Sequence, residues 1–92
     1  MNIKQGNNKF YIGNSEEEYV AEITYKLEGD VMVVDHTSVN EELRDQNIAR
    51  KLLDHLLEYA KTNSKKIKPV CPYVVKMFER NPDWSYLLAN QN

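Results

Sequence analysis

The stretch Val39–Ala60, VNEELRDQNIARKLLDHLLEYA, changes character halfway. From Ala49 onward, Ala49, Leu52, Leu53, Leu56 and Ala60 recur at helical spacing and form one apolar face. Arg50, Lys51, Asp54, Glu58 and Lys61 fall on the other side. Before that face begins, Arg44-Asp45-Gln46-Asn47 is wholly polar. The periodicity predicts a helix over about Gln46 to Thr62, entered abruptly from a polar loop. The first N–H groups of a helix lack partners and carry the positive end of its dipole, so such an entry is suited to an anion. Arg44 adds a fixed charge with a planar donor fork.

The elements on either side fix the fold. Upstream, Lys9–Gly13 (KFYIG) reads as a strand and Asn14–Glu18 (NSEEE) as an acidic turn. Tyr19–Leu27 is rich in β-branched and aromatic residues, with Ala21, Ile23 and Tyr25 on one face at period two. Glu28-Gly29-Asp30 is a hairpin turn in which Gly29 supplies a positive φ. Val31–Val39 is a third strand, and its continuous apolar start predicts burial on both faces. It turns polar at Asp35, His36 and Thr37. Downstream, Lys65–Val70 is a fourth strand. Pro72–Asn81 is a second helix with Pro72 in its first turn and an apolar stripe of Val74, Val75 and Phe78. Asn81-Pro82 stops it. Asp83–Leu88 is a short last element that packs Trp84 and Leu87 on the core, and Asn90–Asn92 reads as a frayed tail. The expected class is α/β, in βββαβα order: a mixed sheet with helices packed against it, the last two strands parallel through a right-handed crossover.

Composition narrows the function. The chain has 92 residues, 41% of them hydrophobic, which suits one domain over residues 1–92 with one modest core. A formal charge of -2 and the lack of a long Lys/Arg run argue against nucleic acid as a partner. Lys65-Lys66-Ile67-Lys68 is basic but short and reads as a solvated strand edge. Cys71 is the single cysteine, which excludes an internal disulfide and fits a reducing compartment. The opening MNIKQGNNKFYIG has no apolar signal core, and no run approaches the ~20 apolar residues of a membrane span. The expected location is the cytoplasm, with no membrane partner. His36 and His55 stand too far apart in sequence for a zinc pair, and no metal is expected. Tyr11 and Tyr86 read as exposed aromatics, and the expected state is a monomer or weak homodimer.

Arg44-Asp45-Gln46-Asn47-Ile48-Ala49 resembles the cofactor loop of the GNAT N-acetyltransferase superfamily. That loop reads Gln/Arg-x-x-Gly-x-Gly/Ala, directly after a strand and opening a helix. Asn47 stands where the pattern has its first glycine, and Asn is among the non-glycine residues that tolerate positive φ. The resemblance covers nearly the whole chain. DHTSVNEELRDQNIARKLLDHLLEYA followed by IKPVCPYVVKMFERNPDWSYLL is similar to the family's small subfamily often called NATD-like or YjdJ-type. The DHT-x-V strand, the cysteine after the fourth strand, the aromatic two residues later and the NP-x-W ending occur in the same order.

The resemblance implies a minimal GNAT-like fold that binds acetyl-CoA and transfers acetyl to an amine on a small molecule or a protein. It places the pyrophosphate on Arg44 and on the backbone of Asp45, Gln46, Asn47, Ile48 and Ala49, and the pantetheine arm along Val39. Cys71 is then a candidate acyl acceptor, its thiol next to a helix start, or simply a small buried hydrophobe. His36 has the intrinsic pKa of a general base near neutral pH, or is a strand histidine satisfied by backbone. Tyr73 is a candidate proton donor to the leaving thiolate. Lys76 and Arg80, at i, i+4 on the second helix, either reach the nucleotide end of the cofactor or face solvent. Direct attack by the amine and passage through an acetyl-Cys71 both remain open. The alternative to an enzyme is a non-catalytic module of the same fold that binds CoA, acyl-CoA or a partner.

Overall fold

A computed structural model describes residues 2–89. The tail at Asn90–Asn92 lies outside them. Five strands form one sheet in the order β1-β2-β3-β4-β5: β1 Lys4–Gly6, β2 Lys9–Gly13, β3 Tyr19–Glu28, β4 Val31–Val39 and β5 Lys66–Pro69. The first four are antiparallel and β5 runs parallel to β4. Helix α1, Ile48–Thr62, makes the crossover between β4 and β5. Helix α2, Pro72–Arg80, follows β5. Short 3-10 helices occupy Glu41–Gln46 and Pro82–Leu87.

The mixed sheet is the expected one, with one strand more. β1 (KQG) is short and polar, and it has no period of its own. Pairing with β2 defines it, across a tight turn in which Asn8 takes φ 59°. The β3–β4 hairpin turns at Gly29 with φ 61°, as its sequence predicts. Helix α1 starts two residues later than expected. Asn47 adopts φ 55° and ψ 34°, a left-handed conformation that ends one helix and begins the next.

The core lies between one face of the sheet and the two helices. Phe10, Ala21, Ile23, Tyr25, Met32 and Val34 from the sheet meet Ile48, Leu52, Leu53, Leu56 and Ala60 of α1, and Val74 and Phe78 of α2. Ala49, expected on that face, is only half-buried, because Ile48 and Leu57 take the flanks of the stripe. Each fully buried side chain of leucine size removes enough apolar area to contribute roughly 1.5–3 kcal/mol. The start of β4 is not buried on both faces. Met32 and Val34 are buried, whereas Val31 and Val33 are half-exposed, since no helix covers the outer face there. Tyr11 is buried rather than exposed, and Tyr86 is exposed as expected. Tyr11 pairs with Lys4 on one side and with Glu22 on the other. Glu22 is itself buried and held by Lys9 at 3.2 Å.

Two features of β4 determine where its far end points. Thr24 pairs with His36 but Tyr25 pairs with Val34, so Asp35 is an extra residue, a β-bulge. Thr24 Oγ1 donates to Asp35 Oδ1 at 2.7 Å and holds it. Side chains alternate along a strand, so an extra residue exchanges the faces beyond it. Thr37 and Val39 therefore share the core face with their partners Ile23 and Ala21, while His36 shares the outer face with Thr24. The second feature is the parting of β4 from β5. The last ladder pair is Val34–Pro69, and the N–H groups of Val70 and Cys71 both donate to the Val34 carbonyl at 2.9 Å. From there β4 runs on to Val39 while the other chain segment turns into α2.

Candidate active site

The parting of β4 from β5 opens a cleft of about 440 Å³ beside the start of α1. Thr37, Ser38 and Val39 line it from β4, Arg44 and Asn47 from the loop, Ile48, Ala49 and Arg50 from α1, and Tyr73 from α2. The left-handed turn at Asn47 aims the chain so that α1 begins facing this gap. The first bond of α1 runs from the Lys51 N–H to the Asn47 carbonyl at 3.1 Å. The N–H groups of Ile48, Ala49 and Arg50 thus have no acceptor within the helix and sit at its positive end. The first turn of α1 contains no acidic residue, and two arginines flank it. The result is a cradle for an anion.

The structure brings together most of the loop residues singled out in the sequence. Val39, Arg44, Asn47, Ile48, Ala49 and Tyr73 all line the cleft. Asp45 and Gln46 lie in the backbone of the 3-10 helix before it, and Gln46 is exposed and outside the lining set. Three other residues stand elsewhere. His36 is exposed on the outer face of the sheet, because the bulge at Asp35 takes it off the face that carries Val34. Lys76 and Arg80 are exposed on α2 and do not line the cleft, since the turn that faces it is the first one, at Tyr73. Sequence reasoning missed Thr37, Ser38 and Arg50. The positions of Thr37 and Ser38 depend on the bulge. Arg50 stands on the polar stripe of α1 next to the loop motif, and that adjacency was the available signal.

Cys71 is the N-cap residue of α2, buried and outside the set of residues that line the cleft. Its Sγ lies 3.4 Å from Thr37 Oγ1, one of the lining side chains. Tyr73, two residues on, is half-buried. Burial raises its phenol pKa above the ordinary 10.0; Arg50 pulls it down, while Asp54 and Cys71 push it up. The phenol is therefore protonated at neutral pH and available as a donor. Among the described residues, no group of three or more His, Cys, Asp or Glu converges as a metal site would, and no helix is long and apolar enough to cross a membrane.

The sheet thus parts beside a helix start, with two arginines and the first N–H groups of α1 at the gap. Residues 9–87 match the sequence pattern of the GCN5-related N-acetyl-transferases. The chain belongs to that family. It is 37% identical to a GCN5-like protein of Staphylococcus aureus assigned to the N-acetyltransferases, whose solution structure superposes with a TM-score of 0.80 over 99% of this chain and 90% of that one. Ribosomal-protein alanine N-acetyltransferases share the fold: that of Escherichia coli at 16% identity and TM-score 0.62, that of Brucella melitensis at 20% and 0.57. This chain covers 83% and 91% of its own length in those matches, but only 53% and 64% of theirs. The fold is thus the mixed α/β fold of the family. Acetyl-CoA is the acetyl donor that the family implies, and the free amides, the arginines and the cleft fit its phosphates and its narrow arm.

Proposed function

We propose that the protein transfers acetyl from acetyl-CoA directly to an amine on a small molecule or a protein. The finer placement, in the small NATD-like subfamily, rests on the DHT strand, Cys71 and the NPDW ending. The observation that carries the functional reading is the cradle opened by Asn47. In it the amides of Ile48, Ala49 and Arg50, with the Arg44 guanidinium, bind the pyrophosphate. The free edge of β4 at Val39 orients the pantetheine arm. Tyr73 donates a proton to the departing thiol sulfur. The donor supplies an acetyl thioester, and the amine supplies the attacking lone pair.

Calorimetric titration tests the reading. Acetyl-CoA is expected to bind the wild type, and Arg44→Ala to weaken that binding by about tenfold, as loss of one charge-assisted contact predicts. No binding to the wild type sinks the reading.

None of the described residues that line the cleft has the intrinsic pKa of a base near neutrality. The amine therefore arrives as its free base. At fixed amine concentration kcat/KM should rise about tenfold per pH unit up to the pKa of the amine itself, and that limb should move when an amine of different pKa is used. A limb that stays fixed when the amine is changed and is lost in His36→Gln would instead return His36 to the mechanism.

One observation favours a second reading, in which Cys71 takes the acetyl group first: its thiol lies 3.4 Å from the cleft-lining Thr37 hydroxyl. That route leaves one acetyl mass on the protein after incubation with acetyl-CoA and no amine, and none on Cys71→Ala. Unmodified wild-type protein under those conditions excludes it.

A further inference from the structure

The NPDW ending reaches a residue that lines the cleft. Asn81 closes α2, with its Nδ2 donating to the Met77 carbonyl at 2.8 Å. The Trp84 N–H donates to the Asn81 carbonyl at 2.9 Å, which starts the last 3-10 helix and folds the indole back over the body of the protein. The indole meets Phe78 edge-on, with centroids 5.5 Å apart at 76°. It also meets Arg50, whose Cζ is 5.2 Å from the ring centroid. On another side, Arg50 Nε donates to Asp54 Oδ1 at 3.0 Å.

Arg50 is held twice over at the cleft. The indole packs on its guanidinium and Asp54 takes Nε, which leaves the Nη groups as its remaining donors. An exposed i, i+4 ion pair on a helix is by itself a minor surface contact. Here the arginine lines the cleft, its own N–H is one of the free amides at the helix start, and an aromatic ring from another element fixes it. A long side chain already fixed in place loses less freedom when it takes up a ligand.

We propose that Trp84 is a positioning residue for acetyl-CoA binding, acting through Arg50, which supplies a second cationic contact to a phosphate of the donor. The proposal rests on the reading of the cleft as an acetyl-CoA site. It gives the NPDW turn a role in binding rather than only in closing the core.

The test is calorimetric titration of acetyl-CoA into the wild type, Arg50→Ala, Trp84→Leu, Trp84→Phe and the double variant R50A/W84L, with melting temperatures measured in parallel. Arg50→Ala is expected to weaken binding about tenfold. Trp84→Leu should weaken it about threefold and Trp84→Phe by less, in keeping with the strength of the cation–π contact. In the R50A background, Trp84→Leu should have no further effect on binding, although it still lowers the melting temperature through lost packing on Phe78. Asp54→Asn keeps an acceptor for Nε and removes a negative charge beside Arg50, and should bind at least as tightly as the wild type.

The same titrations with dephospho-CoA locate the contact. A persisting Arg50→Ala penalty assigns it to the pyrophosphate, and a vanishing one assigns it to the 3′-phosphate. An equal Trp84→Leu penalty with and without Arg50 overturns the proposal. So does wild-type affinity in Arg50→Ala while Arg44→Ala is impaired, and that outcome leaves the cofactor reading intact. If Trp84→Leu fails to fold, Trp84→Phe and its double with Arg50→Ala decide the matter. A wild type that binds no acetyl-CoA overturns the cofactor reading and this proposal together.

Discussion

Asn47→Val should lose either stability or acetyl-CoA binding, the latter by about a hundredfold, the worth of one or two backbone contacts to a charged group, while Asn47→Gly should bind at least as well as the wild type. The cause is the left-handed conformation, φ 55° and ψ 34°, at this one residue. For an L-residue it costs about 1–2 kcal/mol, less for Asn and more for a β-branched side chain. Valine has two ways to respond. It can keep the turn and carry the strain, which lowers stability by roughly 1–3 kcal/mol and the melting temperature by about 4–8 °C for each of those kcal/mol. Or it can fall back to ordinary helical angles, which extends α1 into the loop, moves its free N–H groups and swings Arg44 away. Binding suffers in the second case and stability in the first. Melting and titration of both variants separate the two. A valine variant that neither melts earlier nor binds more weakly would show that the turn is not what forms the cradle.

The same residue shows how far the sequence could be read. That Asn47 could replace a glycine was legible from its tolerance of positive φ. That it also divides a 3-10 helix from α1, so that the helix starts at Ile48, was not, because the polar loop carries no period of its own. The period-two face of β3 and the apolar stripe of α1 were legible because burial imposes them directly. β1 was not, since three polar residues become a strand only through their partner.

The largest consequence came from a single residue. Asp35 is one too many for the ladder, and nothing in VMVVDHTSV marks it as the bulge. Counting by twos along β4 gives His36 the same face as Val34, the face that leads into the cleft. The bulge gives that face to Thr37 and sends His36 outside. One insertion thus exchanges His36 for Thr37 on the face that leads into the cleft. Lys76 and Arg80 stand outside the cleft lining for a different reason: their common helical face was legible, but its direction relative to the cleft depends on how α2 sits, which no local pattern encodes.

Tyr73→Phe should lower kcat by about a hundredfold and leave the affinity for acetyl-CoA nearly unchanged, the lower end of what a positioned acid contributes. The substitution removes one hydroxyl and keeps the ring, so packing against the core and the melting temperature should change little. The sign of the pH effect comes from the phenol's surroundings. Burial holds its pKa above 10.0 against the opposing pull of Arg50. The acid form is thus fully present through neutral pH, and its contribution is lost only as pH rises through that raised value. With an amine of low pKa, wild-type kcat should stay flat from neutrality until that alkaline fall, and Tyr73→Phe should be slow and show no fall. Arg50→Ala removes the charge that lowers the phenol pKa, so the fall should move to higher pH in that variant. A Tyr73→Phe enzyme with wild-type kcat would exclude the phenol as the acid. A variant that loses affinity but keeps kcat would make Tyr73 a wall of the cleft, and the proton for the departing thiol would then come from water.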